Sequence, residues 1–329
     1  MNNWLPAVLL LFSVSCVRGQ DLPRPIRLTE LPQTRLDIPA GQYSGITFVE
    51  RNQFVVVDDK ARGGGIHSFV VPLDSLGNVG MVLSTSVAAN SAGERDLDNE
   101  DVVYASGRHS LFVASEATQT IREYNLSGKP TGEELAVPET FDTKHITANR
   151  GFESLAYNEV TGLFWTTTEM PLQADTLHRL QSFSAQTLEA GEQFLYAAEA
   201  PSVSQELAAS ARAYVFGIPA LTALDDGRLL VMEREVYVPR GGLGTLLADS
   251  FTTTSIYEVD PVRCKEPVLE KKLLLTFSTS ALNLANFEGM CLGPVFPDGT
   301  QLLLLIADSQ DGAYGLVGEY LKVVKLRYE

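Results

Sequence analysis

Three glutamates recur in the same local setting, a short loop that leads directly into an apolar run. They are Glu100 in Asp98-Asn99-Glu100-Asp101, Glu153 in Gly151-Phe152-Glu153-Ser154 and Glu288 in Asn286-Phe287-Glu288-Gly289. Carboxylates crowded into one cavity cannot all remain ionised unless a cation or an arginine joins them. We therefore predict that Glu100, Glu153 and Glu288 bind a metal ion. Oxygen ligands suit a hard cation, so calcium is the expected cofactor.

Arginines near these loops could bind an anionic substrate. Arg150 immediately precedes the Glu153 loop, and Arg234 follows an apolar run that ends in Glu233. In a metal-assisted ester hydrolysis, carboxylates would hold the cation and arginines would orient the substrate. The predicted catalytic residues are therefore Glu153, Glu288 and Arg150, and both arginines are predicted to bind substrate.

Acids also end the second apolar run that follows each glutamate loop. Of these, Glu169 and Asp308 are predicted to contact the substrate, although such acids can also simply keep a channel mouth hydrated. The loop glutamates have a structural alternative as well. Glu153 and Glu288 could accept backbone N–H groups from a neighbouring module and hold the repeats together.

Repeated modules would place these residues. Each glutamate is followed by a short apolar run, a glycine-containing turn and a second apolar run. Two weaker copies of this module begin at Ser44 and Thr222. Alternating segments after each module supply third and fourth strands. Repeated four-stranded units are typical of a β-propeller. Five modules are recognisable, but the chain is long for five blades of about 40 to 50 residues, so a sixth blade is expected.

The predicted fold is all-β, a single propeller of about six four-stranded blades. The strand at residues 321–326 lacks a successor, and residues 25–31 could supply it and close the ring. One short helix is expected within residues 202–211. Because the first strand of each blade lines the central channel, the three glutamate loops should meet at one mouth.

Composition and charge exclude several kinds of partner. The 329 residues carry a formal net charge of −16, so nucleic acid and anionic membrane surfaces would be repelled.

No Gly-x-Ser-x-Gly, P-loop, His-Glu-x-x-His or Cys-x-x-Cys motif occurs. Cys264 and Cys291 could form a disulfide or remain thiols.

The N-terminal residues predict export. Residues 1–19 contain a short apolar segment followed by Ser, Cys and Gly, which is typical of a secretory signal peptide. The mature domain would then be residues 20–329, secreted or periplasmic. Lipidation of Cys16 is the alternative and would anchor the protein to a membrane. No later segment is long enough to be a transmembrane helix.

Three segments resemble the phytase-like domain family, which is described as having esterase-like activity of phytase. They are residues 149–156 (Asn-Arg-Gly-Phe-Glu-Ser-Leu-Ala), 221–234 and 286–294. The resemblance covers most of the mature chain and implies a secreted or periplasmic bacterial propeller. The chain departs from the family pattern at residues 98–101, where an Asp-Pro-Glu-Gly type of loop is usual, and at Ser44, which replaces an acid.

These observations predict a metal-assisted hydrolase of small anionic esters, with phosphoesters as the first candidates and the site at the channel mouth. A divalent-metal lactonase or carboxylesterase would use the same arrangement. The alternative from another class is a non-enzymatic propeller that binds a ligand or partner, because no nucleophile and base are recognisable as a pair.

Overall fold

The computed structural model describes residues 23–59, 65–88, 97–309 and 318–329. The expected signal peptide and Cys16 lie outside these residues. Within them the structure is mostly β, with two short α-helices, Gln205–Ser210 (α1) and Leu243–Asp249 (α2). The all-β prediction and the helix expected within residues 202–211 are confirmed. No helix of the described residues is long and apolar enough to cross a membrane.

The strands form five antiparallel blades, of which four have four strands and the last has four strands and one additional short strand. The first two strands, β1 (Ile26–Glu30) and β2 (Thr34–Arg35), belong to the last blade. Blade 1 comprises β3 (Tyr43–Glu50), β4 (Gln53–Asp58), β5 (Gly65–Val70) and β6 (Leu83–Ala88). Blade 2 comprises β7 (Asn99–Ala105), β8 (Ser110–Ser115), β9 (Thr120–Asn125) and β10 (Pro130–Glu134). Blade 3 comprises β11 (Phe152–Asn158), β12 (Leu163–Thr168), β13 (His178–Ser184) and β14 (Ala190–Tyr196).

The last two blades complete the ring. Blade 4 comprises β15 (Ala213–Ala223), β16 (Leu229–Val238), β17 (Phe251–Val259) and β18 (Lys271–Ser280). Blade 5 comprises β19 (Asn286–Val295), β20 (Gln301–Asp308), β21 (Tyr320–Tyr328) and β1, and β2 also pairs with β21. Ile26 pairs with Tyr328 and Glu30 with Val324. The N-terminal strand therefore closes the ring, as the sequence predicts.

The sixth blade is not confirmed, because the described strands make five. The extra length lies partly in blade 4, where β15, β16 and β18 contain 11, 10 and 10 residues. Typical strands have about five or six residues. Further residues are used in the connections that contain α1 and α2.

The first strands of the blades form a closed inner ring. Each of β3, β7, β11 and β15 contacts the next first strand, and β19 contacts β3. Neighbouring first strands approach very closely, since a Cβ at Gly45 would lie 2.5 Å from Asp101 Cα and one at Gly289 would lie 2.3 Å from the Ser44 carbonyl oxygen. Glycine is therefore needed at both positions, and it brings the starts of β3, β7 and β19 together.

Apolar side chains pack between the blades. One core cluster joins blades 4 and 5 through Met232, Phe277 and Phe287. Cys291 lies buried in the cluster shared by blades 5 and 1, whereas Cys264 packs against the cluster between blades 3 and 4. Both cysteines are free, so the disulfide that the sequence allowed is not formed.

Candidate functional site

All five first strands have an irregular register, near the beginning of β3, β7, β11 and β19 and in the middle of β15. In β7, β11 and β19 the extra residue is Glu100, Glu153 or Glu288. In β3 and β15 the corresponding positions are residues 44–45 and 218–219. A β-bulge turns the extra side chain out of the regular alternation. Here it brings the three glutamates close enough for each to influence the charge of the others.

Arg234 of β16 lies between carboxylates of blades 3 and 5. Its Nη1 is 2.6 Å from Glu288 Oε1, and its Nη2 is 2.7 Å from Glu169 Oε1 and 3.4 Å from Glu153 Oε2. Nη1 also donates to Asn286 Oδ1 at 2.7 Å. We call Arg234, Glu153, Glu169 and Glu288 the ionic cluster. The Arg234 side chain is only 2 % exposed, so a direct contact with substrate, as the sequence predicts, would require a ligand to reach a buried group.

Arg150 extends the ionic cluster towards solvent. Its Nη1 donates to Glu169 Oε2, while Glu169 Oε1 accepts from Arg234. The Arg150 side chain is 29 % exposed, whereas Glu169 is fully buried. The preceding residue, Asn149, has a left-handed backbone with φ of 57°. Glu169 therefore holds both arginines, and part of the Arg150 guanidinium stays accessible to an anion.

A second group of carboxylates lies at the same mouth. Asp59, Asp98 and Glu100 each offer one oxygen, and these atoms lie within 4.8 Å of one another. We call these three residues the oxygen cluster. Ser44 joins it to the ionic cluster, because its hydroxyl donates to Glu100 Oε2 at 2.7 Å and lies 3.5 Å from Glu288 Oε2.

Burial and neighbouring negative charges raise the pKa values of two glutamates at the mouth, Glu100 and Glu153. Burial, followed by the charges of Asp59, Glu288 and Asp98, raises the pKa of Glu100 well above its usual value. Burial, followed by the charges of Glu169 and Glu100, likewise raises the pKa of Glu153. Arg234 lowers the pKa of Glu153 but does not cancel these effects, because its single charge is shared with Glu169 and Glu288.

Arg234 itself stays protonated and positively charged. Burial lowers its pKa, but the carboxylates of Glu288, Glu169 and Glu153 outweigh burial and raise the pKa above the ordinary arginine value. Arg234 is thus a permanent cation inside the mouth. It supplies the positive charge that crowded carboxylates need.

Two other carboxylates, Asp101 and Glu116, accept backbone N–H groups of a neighbouring blade, which is the structural role considered above for Glu153 and Glu288. Buried Asp101 accepts the Leu155 N–H of blade 3 at 2.7 Å and its neighbour's N–H at 2.8 Å. Glu116 accepts the Gly151 N–H at 2.5 Å. These hydrogen bonds join blade 2 to blade 3 through side chains, whereas Glu153 and Glu288 contact the Arg234 side chain.

The residues that the sequence predicts for the site therefore lie in different clusters at the mouth. Glu153, Glu288, Arg150, Arg234 and Glu169 form one connected network, and Glu100 belongs to the oxygen cluster. Asp308 ends β20 opposite Asn286 and is 4 % exposed. In the described part of the chain, the carboxylates whose oxygens come close enough to share a cation are Asp59, Asp98 and Glu100, rather than the three bulged glutamates.

Sequence reasoning did not assign Asp59, Asp98 or Ser44 to the site. A signal was available for Asp59, which follows the second apolar run of the first module, where other modules also have an acid. That module lacks the loop glutamate, because Ser44 occupies the position. Asp98 lies in the loop that leads to Glu100, where the sequence has oxygen side chains at alternate positions 96, 98 and 100. Residue 96 lies outside the described residues.

The fold and this mouth define a five-bladed β-propeller with a carboxylate-rich channel entrance. The family model described as phytase-like, esterase-like activity of phytase, matches residues 38–310. The chain therefore belongs to the phytase-like family. No curated protein matches the sequence.

Several solved structures resemble the chain weakly. A β-xylosidase, RS223, is 9 % identical with a TM-score of 0.47, covering 91 % of this chain and 96 % of its own. A streptogramin B lyase is 14 % identical with a TM-score of 0.36, covering 92 % and 98 %. The PQQ-bound aldose sugar dehydrogenase from Streptomyces coelicolor is 9 % identical with a TM-score of 0.40, covering 93 % and 99 %. At such identities and scores these resemblances say nothing about activity.

Proposed function

We propose that the protein is an exported, cation-dependent hydrolase of small anionic esters with its site at the channel mouth. The observation that carries this proposal is the oxygen cluster, three carboxylates that meet at one point beside an arginine-bearing network. The family description, esterase-like activity, supports an ester as the substrate. Export stays a prediction from residues 1–19.

The oxygen cluster suits a hard divalent cation such as calcium. Its donors are all carboxylate oxygens, which calcium and magnesium prefer. The raised pKa of Glu100 reflects repulsion that a cation would relieve. Asp59, Asp98 and Glu100 would hold the ion, which supplies Lewis-acid stabilisation of charge developing on an ester oxygen. Glu153 and Glu288 are less suited as ligands, because Arg234 already contacts both.

The remaining roles belong to residues of the ionic cluster and Arg150. Arg150 binds the anionic part of the substrate with the guanidinium nitrogens that Glu169 leaves accessible. Glu153 keeps its proton to a higher pH than a free glutamate, so it can serve as general acid for the leaving alkoxide. Arg234 orients Glu288, and Ser44 orients Glu100.

A hydrolysis screen tests this proposal. The purified protein is assayed against phosphomonoesters, carboxylesters and lactones, with calcium and with a chelator. We expect hydrolysis of at least one ester class that chelation abolishes and calcium restores. Asp98→Asn should lose most of this activity, and Glu50→Gln, at an exposed acid at the opposite end of β3 from Ser44, should keep it.

Two results would contradict the proposal. Hydrolysis that is insensitive to chelation and to Asp98→Asn would exclude a role for the cation. No hydrolysis of any ester, together with retained binding of calcium, would instead favour a propeller that binds a ligand without catalysis.

A further inference from the structure

A two-part cleft leads away from the channel mouth along blade 2 and the connection to blade 3. Its inner part, about 400 Å³, is lined by Asp98 of the oxygen cluster and by Asn149, the residue before Arg150. Its outer part, about 380 Å³, lies further along the same connection. Gln119 and Thr143 line both parts. The cleft therefore begins at the proposed site, and each part has the size of a small-molecule binding site.

The cleft is strongly acidic. Asp98 and Glu116 line the inner part, and Glu134 and Asp142 line the outer part. Two cations partly offset these charges, because Lys144 lies 2.9 Å from Asp142 and Arg122 Nε lies 3.7 Å from Glu134. Among the described residues, the four lining carboxylates still outnumber these two cations. A second anionic group on a substrate would therefore be repelled here, whereas a cationic group would be attracted.

A buried acceptor points to the same ligand chemistry. Gln119 is 4 % exposed, and its Nε2 donates to the Glu116 carbonyl oxygen at 2.8 Å. Its Oε1 is buried and has no hydrogen-bond partner among the described residues. A buried acceptor without a donor is costly. This acceptor favours a ligand that carries an N–H group.

We propose that this cleft binds an ammonium-bearing arm of the substrate. The substrate would then be a zwitterionic ester, with its anionic ester group at Arg150 and the oxygen cluster and its ammonium group between Glu116 and Glu134. This inference rests on the proposed function and names the substrate class for it. Esters that carry several anionic groups would be poor substrates, because the lining carboxylates repel them.

Three probes of equal length test the cleft without requiring hydrolysis. 1,5-Diaminopentane, 1,5-pentanediol and glutarate share a five-carbon chain and differ in charge. By calorimetry on the full-length protein at low salt, we expect the diamine to bind about tenfold more tightly than the diol, and glutarate to bind least. Glu134→Gln should weaken the binding of the diamine by up to about fivefold, as expected for the loss of an exposed ion pair.

The adjacent residue provides a matched control. Glu133 is exposed like Glu134 and lies next to it on β10, but it does not line the cleft. Glu133→Gln should leave diamine binding unchanged, and both substitutions are at exposed positions, so folding should be unaffected. Equal binding of diol and diamine, or equal effects of the two substitutions, would overturn the inference.

Substrate assays separate this inference from the proposed function. Phosphoethanolamine should be hydrolysed with a kcat/KM about tenfold above that of glycerol phosphate. If both are hydrolysed equally, the hydrolase stands and the ammonium site falls. If no ester is hydrolysed but diamine binding depends on Glu134, the ammonium site stands and the hydrolase falls.

Discussion

The ionic cluster and the oxygen cluster lie beside each other at one mouth, but they differ in where their positive charge comes from. In the ionic cluster, Arg234 contacts Glu153, Glu169 and Glu288 from within the fold. In the oxygen cluster, carboxylates of blades 1 and 2 converge, and burial and like charges raise the pKa of Glu100. The repeated bulge thus places two glutamates, Glu153 and Glu288, in contact with Arg234 of blade 4, and places a candidate cation ligand, Glu100, on the other side of the mouth.

The largest expected effect comes from removing the internal cation. Arg234→Ala leaves three carboxylates without their shared partner, and breaking a buried ionic network costs about 3–5 kcal/mol of folding free energy. Urea unfolding measures this loss. Arg240→Ala, at an exposed arginine two residues after β16, should change stability by less than about 0.5 kcal/mol. Equal losses in both variants would mean that the ionic cluster does not stabilise the fold.

Removing a carboxylate that joins blades should have a smaller effect. Asp101→Ala leaves the buried Leu155 N–H without its acceptor, which costs about 1–3 kcal/mol. The expected result is a lower urea midpoint without loss of calcium binding. The exposed Asp37→Ala serves as control. A calcium affinity that falls with Asp101→Ala would show that this carboxylate belongs functionally to the oxygen cluster.

The pH dependence of stability distinguishes the clusters as well. Folding raises the pKa of Glu100 above its reference value of 4.5. Its stability contribution is therefore fully present below the unfolded pKa and is lost as pH rises through the folded pKa. In chelator, Glu100→Gln should remove this loss, so its stability relative to wild type should increase between pH 4.5 and pH 8. A pH-independent difference between the two proteins would contradict the raised pKa.

Arg150 should contribute least to stability. Because Glu169 retains Arg234 when Arg150 is removed, Arg150→Ala should cost no more than about 1 kcal/mol. The same substitution should weaken the binding of inorganic phosphate in the presence of calcium, which calorimetry can measure. A loss of stability as large as that of Arg234→Ala, with phosphate binding unchanged, would make Arg150 a structural residue instead.

Much of the fold follows from local repetition. The glutamate loops, the glycine turns and the alternating strands predict the propeller, and the unpaired strand at residues 321–326 predicts closure by the N-terminal strand. The blade number did not follow, because the expectation assumed uniform blade length. The strands of blade 4 are longer than average, and α2, which the sequence did not suggest, occupies part of the connection between β16 and β17.

The site could be predicted only in part. The shared loop position indicated that Glu100, Glu153 and Glu288 meet, but their partners depend on strand register. Arg234 enters the mouth because it pairs with Gly217 at the bulge of β15. Asp59 joins Glu100 because Gly45 allows β3 to approach β7. Neither the register nor this approach distance can be read from residue spacing.

A calcium titration monitored by thermal unfolding tests the central claim most directly, that the oxygen cluster binds the cation. We expect calcium at a hundredfold excess over Kd to stabilise the wild-type protein by about 2.7 kcal/mol. Asp98→Asn should lose most of this gain, while Glu153→Gln, within the ionic cluster, should keep most of it. If Glu153→Gln alone abolishes the gain, the cation lies among the bulged glutamates; if calcium, magnesium and manganese all leave the wild-type melting temperature unchanged at millimolar concentration, the cation-dependent account is wrong.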